Sequence, residues 1–215
     1  MFNGASNFSH NVDVIFLFTL IVSLFFLVLI TGLMIYFVFK YNRKRNPKAT
    51  NVHSNTTLEV TWTVIPTILV LIMFWYGWVE YGNMSNVPEN AMNIDVTAQM
   101  WKWGFKYSNG KTTDSLYVPL DKAIKLNLRS IDVSHAFYIP AFRIKKDVYP
   151  NENRVVWFKA EELGEFDIAC AEYCGLNHSY MYSKIKVLPE PDFNEWLAKD
   201  VKTDSAAIVD SVKSL

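Results

Sequence analysis

Two cysteines in 215 residues cannot build a disulfide framework, because at most one bridge can form. Glycine and proline stand at 8 each, too few for a collagen-like, low-complexity or Pro/Gly-rich disordered chain. Charge of one sign is missing too: 21 Lys and Arg offset 21 Asp and Glu. With no cation surplus to displace counterions from phosphates, nucleic acid is not expected as a partner. Charge is also absent locally, since residues 14–39 and 60–79 contain none. The chain is 51% hydrophobic and 20% charged, and its mean hydropathy of +0.08 averages two unlike halves.

Residues 14–39 read VIFLFTLIVSLFFLVLITGLMIYFVF, with Thr19, Ser23 and Thr31 as the polar interruptions. At about 1.5 Å per residue this run exceeds the roughly 30 Å hydrocarbon core of a bilayer. Residues 60–79, VTWTVIPTILVLIMFWYGWV, are also long enough to span. Core helices of soluble proteins are shorter and amphipathic. A cleaved signal peptide fits poorly, because the first run is about twice the length of a signal h-region and residues 1–13 carry no Lys or Arg. The connection at 40–59 holds Lys40, Arg43, Lys44, Arg45 and Lys48, with no acid before Glu59. An excess of cations marks the cytoplasmic side, so the loop faces the cytoplasm and both ends lie across the membrane. Phe74, Trp75, Tyr76, Trp78 and Tyr81 form an aromatic belt at the outer end of the second span, and Pro66 is placed to kink it.

Residues 1–81 therefore form an outer N-terminal segment and a transmembrane hairpin, and 82–90 (GNMSNVPEN) read as a linker. From residue 91 apolar residues alternate instead of running: Ile94, Val96, Ala98; Ile124, Leu126, Leu128; Phe166, Ile168, Cys170; Ile185, Val187. Turn signals at Ser108-Asn109-Gly110 and Asn151-Glu152-Asn153 separate these segments, the pattern of a small antiparallel sandwich or barrel over 91–190. Residues 191–215 read as a short helix around 193–198 and a polar tail. No internal repeat is present.

The chemistry is concentrated in Cys170-Ala-Glu172-Tyr-Cys174-Gly-Leu-Asn-His178-Ser-Tyr-Met181, with Asp132-Val-Ser-His135 upstream at the expected end of a strand. Two thiolates, two imidazoles and a thioether are soft or borderline donors, which favour copper over calcium, magnesium or manganese. Three simpler readings stay open at this level. A Cys170–Cys174 disulfide suits an oxidising compartment but leaves His135, His178 and Met181 unexplained. Zinc on two Cys and two His needs no Met. A single blue-copper ion uses one Cys, so the second is surplus.

The loop Cys-x-Glu-x-Cys-Gly-x-x-His-Ser-x-Met after Asp-Val-x-His, on a β-domain behind a two-helix hairpin, resembles subunit II of the haem-copper cytochrome c oxidases over residues 12–190. The resemblance implies a two-helix transmembrane hairpin followed by an all-β cupredoxin-like Greek-key barrel domain. It implies a dinuclear copper (CuA) centre in which Cys170 and Cys174 bridge both coppers, His135 and His178 each bind one, and Met181 and the Glu172 carbonyl are weak axial ligands. The Glu172 carboxylate matches a magnesium ligand at the border with subunit I. Trp101, in Ala98-Gln-Met-Trp101-Lys-Trp103-Gly-Phe105-Lys-Tyr107, matches the exposed tryptophan that takes electrons from a c-type cytochrome, whereas Trp103 reads as a packing residue. Glu59, in Leu58-Glu-Val-Thr-Trp62-Thr, matches a glutamate at the mouth of a proton pathway, a position where the helix dipole also favours an acid.

The implied activity is that of cytochrome c oxidase: electrons accepted here pass to haem in subunit I, where oxygen is reduced to water with proton translocation. Subunits I and III, the donor cytochrome and membrane lipid are the implied partners. The N-terminus and the copper domain face the periplasm, or the mitochondrial intermembrane space, from the inner membrane. Some positions depart from the family pattern. Met100 stands where many members have Gln, and Lys102 and Lys106 put positive charge around Trp101, where acids would attract a basic cytochrome. Arg143, Lys145 and Lys146 precede Asn151-Glu152-Asn153 where Pro-Gly-Arg is common. Glu161, Glu162, Glu165 and Asp167 are a candidate acidic docking face, or simply a solvated turn. Two rival functions remain at this level: a quinol oxidase subunit II, which lacks the copper ligands, and a membrane-bound metal sensor or chaperone with a single exposed ion.

Overall fold

The structure is a computed structural model that describes residues 4–48 and 53–199. The loop residues 49–52 and the tail from residue 200 lie outside the described residues. The chain divides into a helical unit, Asn11–Gly82, and a second unit that joins Met1–His10 to Asn83–Leu215.

In the helical unit, helix α1 (Ser9–Lys40) and helix α2 (Thr56–Ser85) extend beyond the apolar runs at both ends. At about 1.5 Å per residue their 32 and 30 residues exceed a bilayer core. Their apolar windows are unburied by protein, the condition for facing lipid. The Asn55 carboxamide caps the start of α2 by accepting the Leu58 N–H at 3.2 Å. Thr63 and Thr67 donate their hydroxyls to the carbonyls four residues back, and the helix continues through Pro66. At the other end of the unit Asn11 Nδ2 donates to Glu80 Oε2 at 3.1 Å. Residues 82–85, read as linker, form the last turn of α2. Nothing before Pro88 stops a helix, and the single Gly82 only weakens it.

The β unit is a pair of five-stranded sheets. Strands β1 (Met92–Gln99), β2 (Lys102–Tyr107), β3 (Thr112–Thr113), β5 (Ala123–Ser130) and β8 (Arg154–Lys159) form one, in the order β3-β2-β1-β5-β8. Strands β4 (Leu116–Pro119), β6 (His135–Ile139), β7 (Ile144–Val148), β9 (Gly164–Cys170) and β10 (Tyr182–Leu188) form the other, in the order β4-β10-β9-β6-β7. The alternation read in the sequence is the inner face of these strands. Ile94, Phe105, Leu126, Phe137, Phe158 and Ile185 are all fully or almost fully buried between the sheets. Pairing is mostly antiparallel, but β1 runs parallel to β5 and β10 parallel to β4, so the chain crosses between sheets. Helix α3 (Glu190–Ala198) closes one end by burying Phe193 and stacking Trp196 on Tyr117 with centroids 4.1 Å apart.

Residues 4–8, assigned from sequence to the outer N-terminal segment ahead of the first span, are part of this β unit. The Ala5 N–H donates to Ala141 O at 2.9 Å, the Glu161 N–H donates to Ala5 O at 2.9 Å, and Phe8 packs edge-on against Trp157. Five residues carry no periodicity, so only their long-range partners reveal where they belong.

Candidate metal centre

Local sequence supplies most of the donors on one connection. Strand β9 ends at Cys170, an inward position, and β10 returns antiparallel beside it with Tyr182 opposite Ala169. Residues 171–181 are therefore a loop between adjacent strands, closed at its neck by the Cys170 N–H donating to Met181 O at 3.1 Å. Gly175 turns the loop at φ +115, a conformation L side chains rarely adopt. A Cβ there would also lie 3.4 Å from Trp101 Nε1. His178 opens a short 3-10 turn and Met181 follows it.

The remaining imidazole arrives through the sheet. In the β6–β9 pairing Phe137 lies opposite Cys170, which places His135, two residues earlier on the same face, over the loop. His135 begins β6; it does not end a strand as its spacing suggested, because the chain turns between Ser130 and His135.

The side chains converge. Cys170 Sγ lies 3.8 Å from Cys174 Sγ, 3.8 Å from His135 Nδ1 and 3.3 Å from the Glu172 carbonyl oxygen. Cys174 Sγ lies 3.6 Å from His178 Nδ1 and 3.8 Å from Met181 Sδ. Nδ1 of His135 and both sulfurs fall within 4.8 Å of one another. His135 and Met181 are fully buried and both cysteines nearly so, whereas His178 is half-buried.

The cysteines are free, and 3.8 Å is far beyond the roughly 2.05 Å of a disulfide. Instead the spacing suits shared metal. Two sulfurs about 2.3 Å from one ion at a near-tetrahedral angle are about 3.8 Å apart, and a sulfur with an imidazole nitrogen about 3.6 Å apart. The donor set therefore fits soft metal ions held between the two thiolates, with one imidazole flanking each sulfur. Burial, and then the neighbouring Cys170, push the Cys174 thiol up to about 12. A metal must displace that proton, so uptake releases acid and tightens as pH rises.

Asp132, quoted in the sequence motif without a role, orients the buried histidine. Its Oδ1 is 2.8 Å from His135 Nε2, which leaves Nδ1 to face the sulfurs. The carboxylate also accepts the N–H groups of Met100 at 2.6 Å and Val133 at 2.7 Å. Burial alone would push the pKa of this carboxyl up, but the Met100 N–H, the His135 ring and the Val133 N–H outweigh burial and hold it below the ordinary carboxylate range. An acid three residues before a candidate ligand is the one sequence signal for this role. Asp132→Ala is expected to lower metal affinity about 10–100-fold with the fold retained, read by competition against a chelator.

Trp101 occupies the two-residue tip between β1 and β2. It is half-buried, not exposed, because its indole Nε1–H donates to the Cys174 carbonyl at 3.2 Å and its ring edge rests on Gly175. Trp103 is buried, edge-on to Phe137 at 5.2 Å and to His135 at 6.1 Å, in line with a packing role. The Glu172 carboxylate is exposed, while its carbonyl turns to Cys170. Glu59 lies in the other unit, exposed in the first turn of α2.

Comparison with known proteins matches residues 67–188 to the family "Cytochrome C oxidase subunit II, periplasmic domain" and residues 1–77 to "Cytochrome C oxidase subunit II, transmembrane domain". Cytochrome c oxidase subunit 2 of Alkalihalophilus pseudofirmus is 34% identical over 185 residues, covering 80% of this chain and 54% of that protein. Cytochrome c oxidase subunit 2 of Cereibacter sphaeroides is 25% identical over 220 residues, covering 84% and 73%. Among solved structures, the periplasmic domain of subunit II of cytochrome oxidase (CoxB) of Bradyrhizobium japonicum is similar, with a TM-score of 0.50 and 30% identity. It covers 52% of this chain and 94% of that one.

Proposed function

The chain belongs to the cytochrome c oxidase subunit II family, and we propose that within an oxidase complex it accepts electrons from a c-type cytochrome at a dinuclear copper (CuA) site and passes them to haem in subunit I. One observation carries this reading: the two thiolates sit at bridging distance with one imidazole beside each. Cys170 and Cys174 would hold both coppers, His135 and His178 one each, and Met181 and the Glu172 carbonyl would be the weaker donors. A copper pair so held supplies one-electron relay chemistry without a bound substrate.

The protein's part is to keep those donors in place. His135 is pinned by Asp132, Cys170 by the β6–β9 ladder and Met181 by the neck of the loop. Rigid donors that sit alike in both redox states keep the reorganisation cost of electron transfer small. Burial of both thiolates keeps water from the donors, which suits a relay.

In this reading Trp101, half-buried at the tip between β1 and β2, is the first electron acceptor. Its indole N–H on the Cys174 carbonyl links it to a ligand through one hydrogen bond and a few covalent bonds. Trp101→Phe removes that bond while keeping a ring. The expected result is a reduction rate by reduced c-type cytochrome at least about tenfold lower with an unchanged copper spectrum, measured by stopped-flow. An unchanged rate refutes the assignment.

Several further roles rest on family membership. The spans anchor an integral membrane subunit whose β unit faces the periplasm, or the equivalent outer compartment, with the Lys/Arg-rich loop inside. Subunits I and III are the membrane partners. The exposed Glu172 carboxylate is available to a magnesium ion shared with subunit I, and the exposed Glu59 is available to exchange protons at a pathway entrance. The reading as a whole is tested by copper analysis of the purified complex. It requires about two coppers in this subunit and a half-oxidised, near-infrared-absorbing species, whereas colourless protein with one zinc overturns it.

A further inference from the structure

The outward face of the sheet β3-β2-β1-β5-β8 is dominated by one charge. Strand alternation points Lys102 and Lys106 of β2 and Lys125 and Arg129 of β5 to this side, all exposed or half-exposed. None of the four is ion-paired within 4.0 Å among the described residues. The acid on the face, Asp95 of β1, sits opposite Lys106 and accepts a hydrogen bond from Asn127 at 3.0 Å.

The other sheet differs. Glu165 and Asp167 of β9, half of the acidic cluster singled out in the sequence, are bridged to Lys184 and Lys186 of β10 at 2.7 to 3.9 Å. Glu161, just before β9, is 3.2 Å from Lys159 at the end of β8 in the first sheet. That cluster is largely neutralised and offers little field to a basic partner.

The basic face leads to Trp101. Lys102 is the next residue, Lys106 lies about 13 Å along the strand, and Arg129 is two strands away at roughly 10 Å. The tip is ringed by apolar side chains on neighbouring loops: Met100, Ile131, Val133 and Leu176, of which Leu176 is 86% exposed. Met100 ties these loops together, since its N–H donates to Asp132 and its sulfur lies against Gly175. An apolar rim beside a field of net positive sign, which Asp95 and Asp132 reduce without cancelling the four unpaired cations, is what a short-lived redox encounter needs. The field speeds and orients approach, and the dry rim permits close contact.

We propose that this face docks an acidic electron-donor protein, a small redox protein whose exposed cofactor edge is apolar and bordered by Asp and Glu. The proposal rests on the Trp101 reading above and supplies the charge of the partner. One electron leaves the donor's reduced cofactor and is taken up at the Cys170–Cys174 site; no bond forms or breaks and no proton moves. A basic donor would meet like charge across the same face.

The test uses the copper-loaded oxidase complex and two probes, an acidic and a basic c-type cytochrome of similar size. Association is followed by surface plasmon resonance at low and physiological ionic strength, and reduction by absorbance. The acidic probe is expected to associate about tenfold or more faster at low salt, with the advantage shrinking as salt is added. Lys102→Glu with Lys106→Glu reverses the preference, whereas Lys184→Glu, a charge reversal on the other sheet, changes association less than about twofold. Preference of the unmodified complex for the basic probe, or an equal effect of Lys184→Glu, overturns the docking assignment. If the basic probe is preferred and still reduces the complex, the docking assignment alone falls. If the acidic probe is preferred but transfers no electrons, the electron-accepting reading beneath it falls.

Discussion

Cys174→Ser is expected to abolish the proposed two-copper centre outright. Cys174 Sγ is the hub of the cluster, 3.8 Å from Cys170 Sγ, 3.6 Å from His178 Nδ1 and 3.8 Å from Met181 Sδ. Serine offers a hard oxygen that does not replace a thiolate shared by two soft ions. Copper should fall from about two per subunit to one or fewer, with loss of the dinuclear near-infrared band and reduction by cytochrome down to background. The fold should survive, because Cys174 lies on a loop, serine nearly matches cysteine in volume, and most of the core comes from apolar strand residues. Circular dichroism and elemental analysis on the same sample separate the two effects. Persistence of the dinuclear band in the serine variant refutes the bridging role.

Phe137→Ala carries the largest expected cost in stability, about 3–5 kcal/mol. The ring is fully buried, edge-on to Trp103 at 5.2 Å and 6.4 Å from Phe105, so its removal opens a cavity beneath the metal loop. Its backbone lies opposite Cys170 and two residues from His135, so the cavity also loosens the register that brings those ligands together. Denaturant unfolding should show a lower midpoint in metal-free and copper-loaded protein alike. Leu163→Ala, at a half-exposed loop position, should change stability by no more than about 0.5 kcal/mol. Equal effects at the two positions would show that the stability of the β unit does not depend on this packing.

The two spans and most strands were legible because their signals are local. Twenty or more uncharged residues exclude most alternatives to a bilayer, and period-two alternation places Ile94, Val96, Leu126, Ile168 and Ile185 on an inner face whatever their partners. The loop 170–181 was legible for the same reason, since both cysteines, His178 and Met181 lie within one turn of chain between adjacent strands. Other features were not. The burial of Trp101 against Gly175, the Met100 N–H bond that holds the Asp132 carboxylate and the docking of residues 4–8 on Ala141, Lys159 and Glu161 each depend on partners tens of residues away. The acidic stretch 161–167 read as a candidate docking face because a sequence does not show that β10 lays Lys184 and Lys186 beside it.

By itself, then, the amino-acid sequence determined two helices long and apolar enough to cross a membrane, a β-domain and a loop of soft donors, because hydrophobic period and donor spacing act over a few residues. Only the tertiary structure decided which imidazole nitrogen faces the sulfurs, what Trp101 touches and which sheet face keeps an unpaired positive charge. Those properties follow from strand register and sheet order, which depend on contacts between segments that the linear chain keeps apart.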